Sequence, residues 1–178
     1  MTVDSDTFRS VMGRFATGVT VVTLPGDDEG NGNGDGNGSS PHGITVNAFT
    51  SLSLDPPLVL ICIDHDTQAY RRLEGGADGY GVNLLAADGR ELGEYFADMV
   101  ELEPGPFETE PTRTVTSGAP LFENALGYLD CTVETAHEAG DHTIYVGRVE
   151  DAAVCRPDAD PLTFYTGKWG TIAAPDGR

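Results

Sequence analysis

The polar side chains of residues 42–57 are the part of this sequence whose types and spacing best suit ligand chemistry. They alternate with apolar side chains, as the two faces of an extended segment do. The polar positions are Thr45, Asn47, Ser51 and Ser53, and the apolar positions are Ile44, Val46, Leu52 and Leu54. Hydroxyl and amide groups supply hydrogen-bond donors and acceptors without charge, which suits a flat polar heterocycle such as a flavin. The alternative is a half-exposed strand whose polar face meets water.

The motifs of the common catalytic constellations are absent from the sequence. There is no GxSxG, no HExxH, no P-loop and no GxGxxG after a strand. A flavin brings its own hydride chemistry, so a protein that uses one needs only to bind and orient it. The absence of an acid–base constellation is therefore consistent with a flavin protein.

Hydrophobic periodicity predicts many short strands and few helices around these residues. Helices are predicted at residues 5–17, capped by Ser5 or Asp6, and at 67–73 and 88–99. Their apolar stripes are Phe8, Val11, Met12, Phe15 and Ala16 in the first helix and Leu92, Tyr95, Phe96 and Met99 in the last. Strands are predicted at 19–24, 58–63 (fully buried), 80–85, 125–137, 142–154 and 162–165, with a hairpin turn at 138–141 and a surface excursion at 100–121. This pattern predicts an α+β domain built on a mostly antiparallel, barrel-like sheet.

The chain is predicted to be one domain, residues 1–178, with a disordered loop insertion at 25–41. That insertion is rich in Gly and Asn and lacks the apolar residues that a core requires. It also lacks the carboxylate ladder and closing Glu of an EF-hand, so no metal site is predicted.

The formal net charge is −19, from 29 acidic and 10 basic side chains, and Lys168 is the only lysine. Nucleic acid is excluded as a partner, because phosphate backbones require clustered cations. Acidic residues spread along the chain and a near-absence of lysine indicate a protein from a high-salt cytoplasm, where salt screens self-repulsion. An ordinary acidic protein is the alternative.

Cysteine usage and hydropathy predict a cytoplasmic protein. Cys62 and Cys131 lie in apolar strand patterns and are expected to be buried thiols, and Cys155 leaves an odd count. The sequence has no apolar run of transmembrane length and no basic-plus-apolar leader, so no membrane association is expected.

Four stretches, in order, resemble the flavin reductase-like family with an FMN-binding split barrel, which includes the reductase components of two-component flavin monooxygenases. The stretch HGITVNAFTSLSLDPPLVLICID resembles the flavin-contacting region of that family. The other three are FRSVMGRFATGVTVVT, YGVNLL, and GDHTIYVGRVEDA followed by PLTFYTGKW. The resemblance covers nearly the whole chain and implies an FMN-binding split β-barrel.

The resemblance implies positions for a flavin and for a nicotinamide nucleotide. The implied flavin contacts are Thr45, Val46, Asn47, Ala48, Ser51, Leu52, Ser53, Thr67 and Asn83. Thr67 would serve the flavin phosphate through the amides of a helix N-terminus, although the adjacent Asp66 departs from the family pattern and would repel a phosphate. The implied nicotinamide or closing residues are His142, Tyr165, Lys168 and Trp169. The alternatives are hydroxyls that bond neighbouring strands, an exposed turn histidine, and aromatic rings in the core.

The implied activity is an NAD(P)H-dependent flavin reductase that passes hydride from nicotinamide to FMN or FAD. The family also implies a homodimer and a monooxygenase component that receives the reduced flavin. Two rivals remain: a flavoprotein that holds FMN tightly and uses another donor or acceptor, and a non-catalytic flavin-binding protein. The sequence does not distinguish FMN from FAD or NADH from NADPH.

Overall fold

The computed structural model describes residues 3–26 and 40–172, in which short strands outnumber helices. The helices are α1 (Ser5–Met12), α2 (Gln68–Glu74), α3 (Arg90–Tyr95) and α4 (Pro106–Thr109), with a 3₁₀ turn at Ala87–Gly89. The strands are β1 (Thr17–Gly18), β2 (Thr20–Leu24), β3 (His42–Val46), β4 (Phe49–Leu54), β5 (Pro57–Asp64), β6 (Gly79–Leu84), β7 (Thr112–Arg113), β8 (Leu121–Phe122), β9 (Gly127–Ala139), β10 (His142–Val154), β11 (Leu162–Tyr165) and β12 (Lys168–Thr171).

Seven strands form one antiparallel sheet in the order β3-β2-β6-β9-β10-β5-β4. Its two edge strands, β3 and β4, are joined by only Asn47 and Ala48. A flat sheet of this size would hold its edges about 29 Å apart, whereas the link from Val46 to Phe49 reaches no further than about 11 Å. The sheet must therefore roll into a barrel with its seam at the link. The predicted α+β split barrel, mostly antiparallel with few short helices, is confirmed.

Strand β2 is buried on both faces because it lies between two apolar clusters. Val22 and Leu24 pack inside the barrel with Ile61, Tyr80 and other buried side chains. Val21 packs in a second cluster outside the barrel, formed by Val19, Val21, Leu85, Phe96, Phe122, Ala125 and Leu162. The α3 region and the 106–122 segment thus cover one outer face of the barrel.

Strand β5 differs from its prediction as a fully buried strand. Val59, Ile61 and Ile63 are buried, but the residues between them are only half-buried. Cys62 is one of these half-buried residues, whereas Cys131 is fully buried as predicted. The outer face of β5 is therefore only partly covered by the described residues.

Helix α1 is shorter than the predicted helix 5–17, and its cap is Asp4. The Asp4 carboxylate accepts a hydrogen bond from the backbone N–H of Thr7 at 2.9 Å. The helix ends at Gly13, and the chain turns into β1. The predicted apolar stripe is exposed, with Phe8 at 59% and Phe15 at 70%. This chain therefore provides no core for the stripe.

The prediction for residues 88–99 was also too long. Only the 3₁₀ turn and α3 form, and Met99 of the predicted stripe is 61% exposed. The 100–121 segment carries α4 and β7, and its Pro106 is buried.

Two tight turns shape the C-terminal hairpins. Thr166 and Gly167 both have positive φ, 49° and 75°, which is the conformation of a two-residue hairpin turn and explains the strand β12 that the sequence did not predict. Gly140, with φ 71°, turns β9 into β10 close to the predicted position. Strand β6 pairs with β9 only as far as Thr132, so the second half of β9 pairs with β10 alone among the described strands.

The predicted loop insertion at 25–41 falls mostly on residues 27–39, which lie outside the described residues. Arg72 of α2 donates to the carbonyl oxygens of Pro25 (3.2 Å) and Ser40 (2.9 Å) and so joins the two ends of this segment. No helix within residues 3–26 and 40–172 has both the length and the apolar character needed to cross a membrane.

Candidate functional site

The strand register brings the β3–β4 link, the end of β5 and the start of β10 to one end of the barrel. Ala48 accepts a hydrogen bond from the backbone N–H of Cys62 at 3.0 Å, and Cys62 pairs with Ile144. Two residues further along, Asp64 pairs with His142. We call this end of the barrel, formed by Asn47, Ala48, Thr67 and His142, the rim site.

Asn47 and Ala48 are the exposed part of the predicted Thr45–Ala48 flavin contact. Thr45 donates its hydroxyl to the carbonyl oxygen of Gly93 at 2.6 Å, and its backbone N–H donates to Phe96. Val46 is buried in the barrel core, and its carbonyl accepts the hydroxyl of Thr20 at 2.7 Å. An uncharged amide side chain is thus exposed at a break between two strands, which fits the polar edge of a flavin ring.

Strand β4 carries the other polar residues of the predicted flavin segment. Ser51 and Leu52 are exposed and Ser53 is half-buried. The pairing with β5 shifts between Ser51 and Ser53, so Leu52 bulges from the strand. The serine hydroxyls lie on an edge strand and remain accessible to a ligand.

The turn before α2 contains the predicted phosphate contact. Thr67 is the N-cap: its hydroxyl oxygen accepts from the N–H of Tyr70 at 3.2 Å and donates to the carbonyl of Asp64 at 2.7 Å. The carboxylate of Asp64 accepts from the N–H of Asp66 at 2.8 Å, so two acidic side chains belong to this turn. Their charge opposes a phosphate at this position.

Arg71 is a site candidate that the sequence interpretation missed. Its guanidinium donates to the carbonyl oxygen of Asp66 at 3.1 Å, so a full positive charge lies against the acidic turn. The signal was an arginine about one helical turn after the cap, in a chain with 10 basic residues. Arg71 can supply the cation that a flavin phosphate requires here.

His142 begins β10 and is 40% exposed. Its Nδ1 lies 2.7 Å from Oδ1 of Asp141. His65, at the end of β5, bonds both residues that flank His142: its N–H donates to the carbonyl of Asp141, and its Nε2 lies 3.0 Å from the hydroxyl of Thr143. The histidine is accessible on a well-held backbone, as a nicotinamide contact requires.

The structure does not bring the predicted contact Asn83 to the rim site, because its side chain is fully buried with its hydrogen bonds satisfied inside the protein. The amide donates to the carbonyl of Val21 (3.1 Å) and the hydroxyl of Thr23 (3.3 Å), and accepts from the N–H of Phe122 (2.7 Å). It links β2 and β6 to β8 and presents no polar atom to a ligand.

The β11–β12 hairpin holds Tyr165, Lys168 and Trp169 beside α3. Trp169 is half-buried, meets Phe164 edge-on at 5.3 Å, and lies against Gly93, where an added Cβ would be 3.4 Å from its ring. Thr45 bonds Gly93 as well, so the hairpin and the start of the flavin segment share one neighbour. Tyr165 and Lys168 are exposed at the hairpin end. Trp169 thus contributes to the second cluster, while the other two side chains are free to meet a ligand.

A cleft of about 1070 Å³ lies next to the start of α2. Its lining includes His42, Gln68, Tyr95 and Phe107, and none of the four rim-site residues. Burial, followed by the charge of Arg72, lowers the pKa of His42, which favours a neutral ring there.

Comparison with known proteins identifies the class to which this fold and site belong. The sequence model of the "Flavin reductase like domain" family matches residues 12–173, and the chain belongs to that family. An NADH-dependent flavin reductase from a Rhodococcus species is 42% identical over 167 residues, covering 92% of this chain and 84% of that protein.

Two solved structures extend the likeness to the fold. The NADH:FAD oxidoreductase SgcE6 of Streptomyces globisporus C-1027 superposes with a TM-score of 0.81 at 35% identity, covering 98% of each chain. BorF, the flavin reductase component of a bacterial two-component tryptophan halogenase, gives a TM-score of 0.79 at 35% identity, covering 97% of this chain and all of that one. The family resemblance found in the sequence is confirmed.

Proposed function

We propose that this protein is an NADH-dependent flavin reductase. The observation that supports this most directly is the meeting of Asn47, Thr67 and His142 at one end of the barrel, in a member of the flavin reductase-like family. A bound flavin supplies the hydride acceptor, and the chain's own residues bind it and align it with the nicotinamide. NADH is the expected donor, since the named relatives use it.

Each accessible residue has a role in this proposal. Asn47 and the backbone at Ala48 hold the polar edge of the flavin ring, with Ser51, Leu52 and Ser53 beneath the ring and ribityl chain. Thr67 positions the phosphate turn, and Arg71 supplies its positive charge. His142 contacts the nicotinamide, while Tyr165 and Lys168 close the site on a hairpin that Trp169 anchors against the second cluster. FMN and FAD share the ring, ribityl chain and first phosphate, so these residues serve either one.

A homodimer accounts for the exposed apolar side chains. Phe8 and Val11 on α1 and Phe15 just after it are exposed, and Leu54 at the end of β4 is 95% exposed. Apolar surface of this extent is normally covered by a partner. Light scattering after size-exclusion chromatography in molar KCl should give twice the chain mass, and Phe8→Glu should give the monomer mass.

The reduced flavin is expected to pass to a separate oxygenase component, since BorF is the reductase of a two-component halogenase. We also propose a cytoplasmic location, because the three cysteines are free thiols, as is usual in that compartment. The source is proposed to be a halophile on the basis of the −19 net charge.

The decisive measurement is the visible absorbance of FMN or FAD after mixing with NADH and a catalytic amount of this protein, under anaerobic conditions in molar KCl. Loss of the oxidised-flavin bands at a rate proportional to protein concentration supports the proposal. A parallel reaction with NADPH identifies the donor. Bound flavin that neither nucleotide reduces would instead identify a flavin-binding protein.

A further inference from the structure

The turn between β9 and β10 is fixed against the end of β5, which gives the Asp141–His142 pair a defined geometry. Gly140 adopts the left-handed conformation that the turn requires. His65 then holds the backbone of Asp141 through a 3.0 Å hydrogen bond, and its ring contacts the hydroxyl of Thr143, a residue that is 2% exposed. His142 therefore projects from a segment anchored on both sides.

The Asp141 carboxylate determines which nitrogen of His142 is protonated. Oδ1 of Asp141 lies 2.7 Å from Nδ1 of His142, and this hydrogen bond is the main cause that lowers the pKa of Asp141 from its ordinary value. An ionised carboxylate can only accept a hydrogen bond. Nδ1 must therefore be the donor, which leaves Nε2 of the neutral imidazole as an acceptor.

A nicotinamide carboxamide presents an amino group that donates and a carbonyl oxygen that accepts. An acceptor at Nε2 matches the amino group, whereas the opposite tautomer would match the carbonyl. We infer that Asp141 is a positioning residue that selects the His142 tautomer and so makes the site recognise the amino group of the nicotinamide carboxamide. This inference rests on the proposed contact between His142 and the nicotinamide.

The size of the effect follows from the exposure of the pair. Asp141 is 90% exposed, so water competes for Nδ1 before the nucleotide binds. One neutral hydrogen bond contributes about 0.5–1.5 kcal/mol, which corresponds to roughly three- to tenfold in affinity. We therefore expect the protein to prefer a nucleotide with the carboxamide amino group by a factor in that range. This preference should be lost when Asp141 no longer fixes the tautomer of His142.

Inhibition of NADH-driven flavin reduction by two oxidised nucleotides tests the inference. NAD⁺ carries the carboxamide, and 3-acetylpyridine adenine dinucleotide replaces its amino group with a methyl group. Neither donates hydride, so their inhibition constants report binding alone. The wild-type protein should bind NAD⁺ about three- to tenfold more tightly than the analogue, and Asp141→Asn, Asp141→Ala and His142→Ala should bring that ratio close to one.

Glu138→Gln is the matched control, because it removes one negative charge from the exposed surface of the same hairpin without touching His142. Its ratio should equal that of the wild type. Far-UV circular dichroism and flavin affinity should be unchanged in all four variants, which separates recognition from folding.

Three results would overturn the inference. The first is a ratio of the two inhibition constants near one in the wild-type protein. The second is a ratio that stays at the wild-type value in both Asp141 variants. Either result would leave the proposed flavin reductase activity unaffected. The third is an equal loss of discrimination in Glu138→Gln, which would assign the effect to charge alone. A wild-type protein that does not oxidise NADH in the presence of flavin would instead overturn the proposed function.

Discussion

Asn47 and Asn83 show how one side-chain type serves two purposes in this chain. Both lie in family-like stretches, and both were predicted to bind flavin from the sequence. Asn47 is exposed at the barrel seam, whereas Asn83 is fully buried and its side chain bonds two other strands, β2 and β8. Replacing each with leucine separates ligand binding from folding.

Asn47→Leu removes the amide from the rim site at nearly constant size. We expect the flavin dissociation constant, measured by fluorescence quenching, to rise on the order of tenfold, because about 1–1.5 kcal/mol of hydrogen bonding is lost. The free energy of unfolding without flavin should stay within about 0.5 kcal/mol of the wild type, as for an exposed position. Unchanged flavin affinity would remove Asn47 from the site.

Asn83→Leu leaves the N–H of Phe122 without its acceptor inside the protein. We expect the free energy of unfolding to fall by about 1–3 kcal/mol, which is the cost of an unsatisfied buried polar group. Urea denaturation followed by circular dichroism measures this loss. Flavin affinity of the folded fraction should be nearly unchanged, and a selective loss of affinity at full stability would restore the predicted flavin role.

Arg72 acts between elements, since it joins α2 to both ends of the segment that leads from β2 to β3. Arg72→Ala removes two hydrogen bonds and should lower the free energy of unfolding by about 1–2 kcal/mol. Arg71→Ala is the matched control for stability, because its single bond at an exposed site contributes less. Equal stability of the Arg72 variant and the wild type would show that the two contacts contribute nothing.

Most strands could be predicted from the sequence, because alternation, buried runs and the turn near Gly140 are local signals. The errors arose where tertiary packing decides the outcome. Helix α1 has the predicted apolar residues but no core to cover them, and one face of β5 is only half-buried because the described residues cover it incompletely. The hairpin of β11 and β12 depends on a positive φ at Thr166, which its residue type does not indicate.

The same limit applies to the site. The family motif predicted Asn47, Ala48 and His142 as contacts, and the register brings them to one end of the barrel. Motif position alone could not show that Asn83 points into the interior or that the Arg71 side chain folds back onto Asp66. Both facts depend on side-chain direction, which the sequence determines only through the packed fold.

At the scale of the molecule, charge dominates the expected solution behaviour. The 29 acidic side chains exceed the 10 basic ones by 19, so most carboxylates lack a cationic partner. Mutual repulsion destabilises the folded state in dilute buffer, and salt at about 1 M reduces the screening length to about 3 Å. The melting temperature should therefore be several degrees higher in molar KCl than in dilute buffer. A shift of this size corresponds to a gain of about 1–2 kcal/mol in the free energy of unfolding. Equal melting temperatures would argue against the halophile proposal.

The edge of β9 that faces no described strand in its second half is where this protein is vulnerable to aggregation. The N–H of Val133 still bonds the carbonyl of Asp78 at 2.8 Å. Beyond Val133 this strand bonds only β10 among the described strands, so its other edge presents backbone donors and acceptors to a neighbouring molecule. Glu138 is exposed on this stretch, and its charge repels the same stretch of a second molecule, whereas the charge of Glu134 is paired with Arg148. High salt, which we expect to stabilise the fold, also screens this repulsion, so the conditions expected to favour the native state remove the protection of its exposed strand edge.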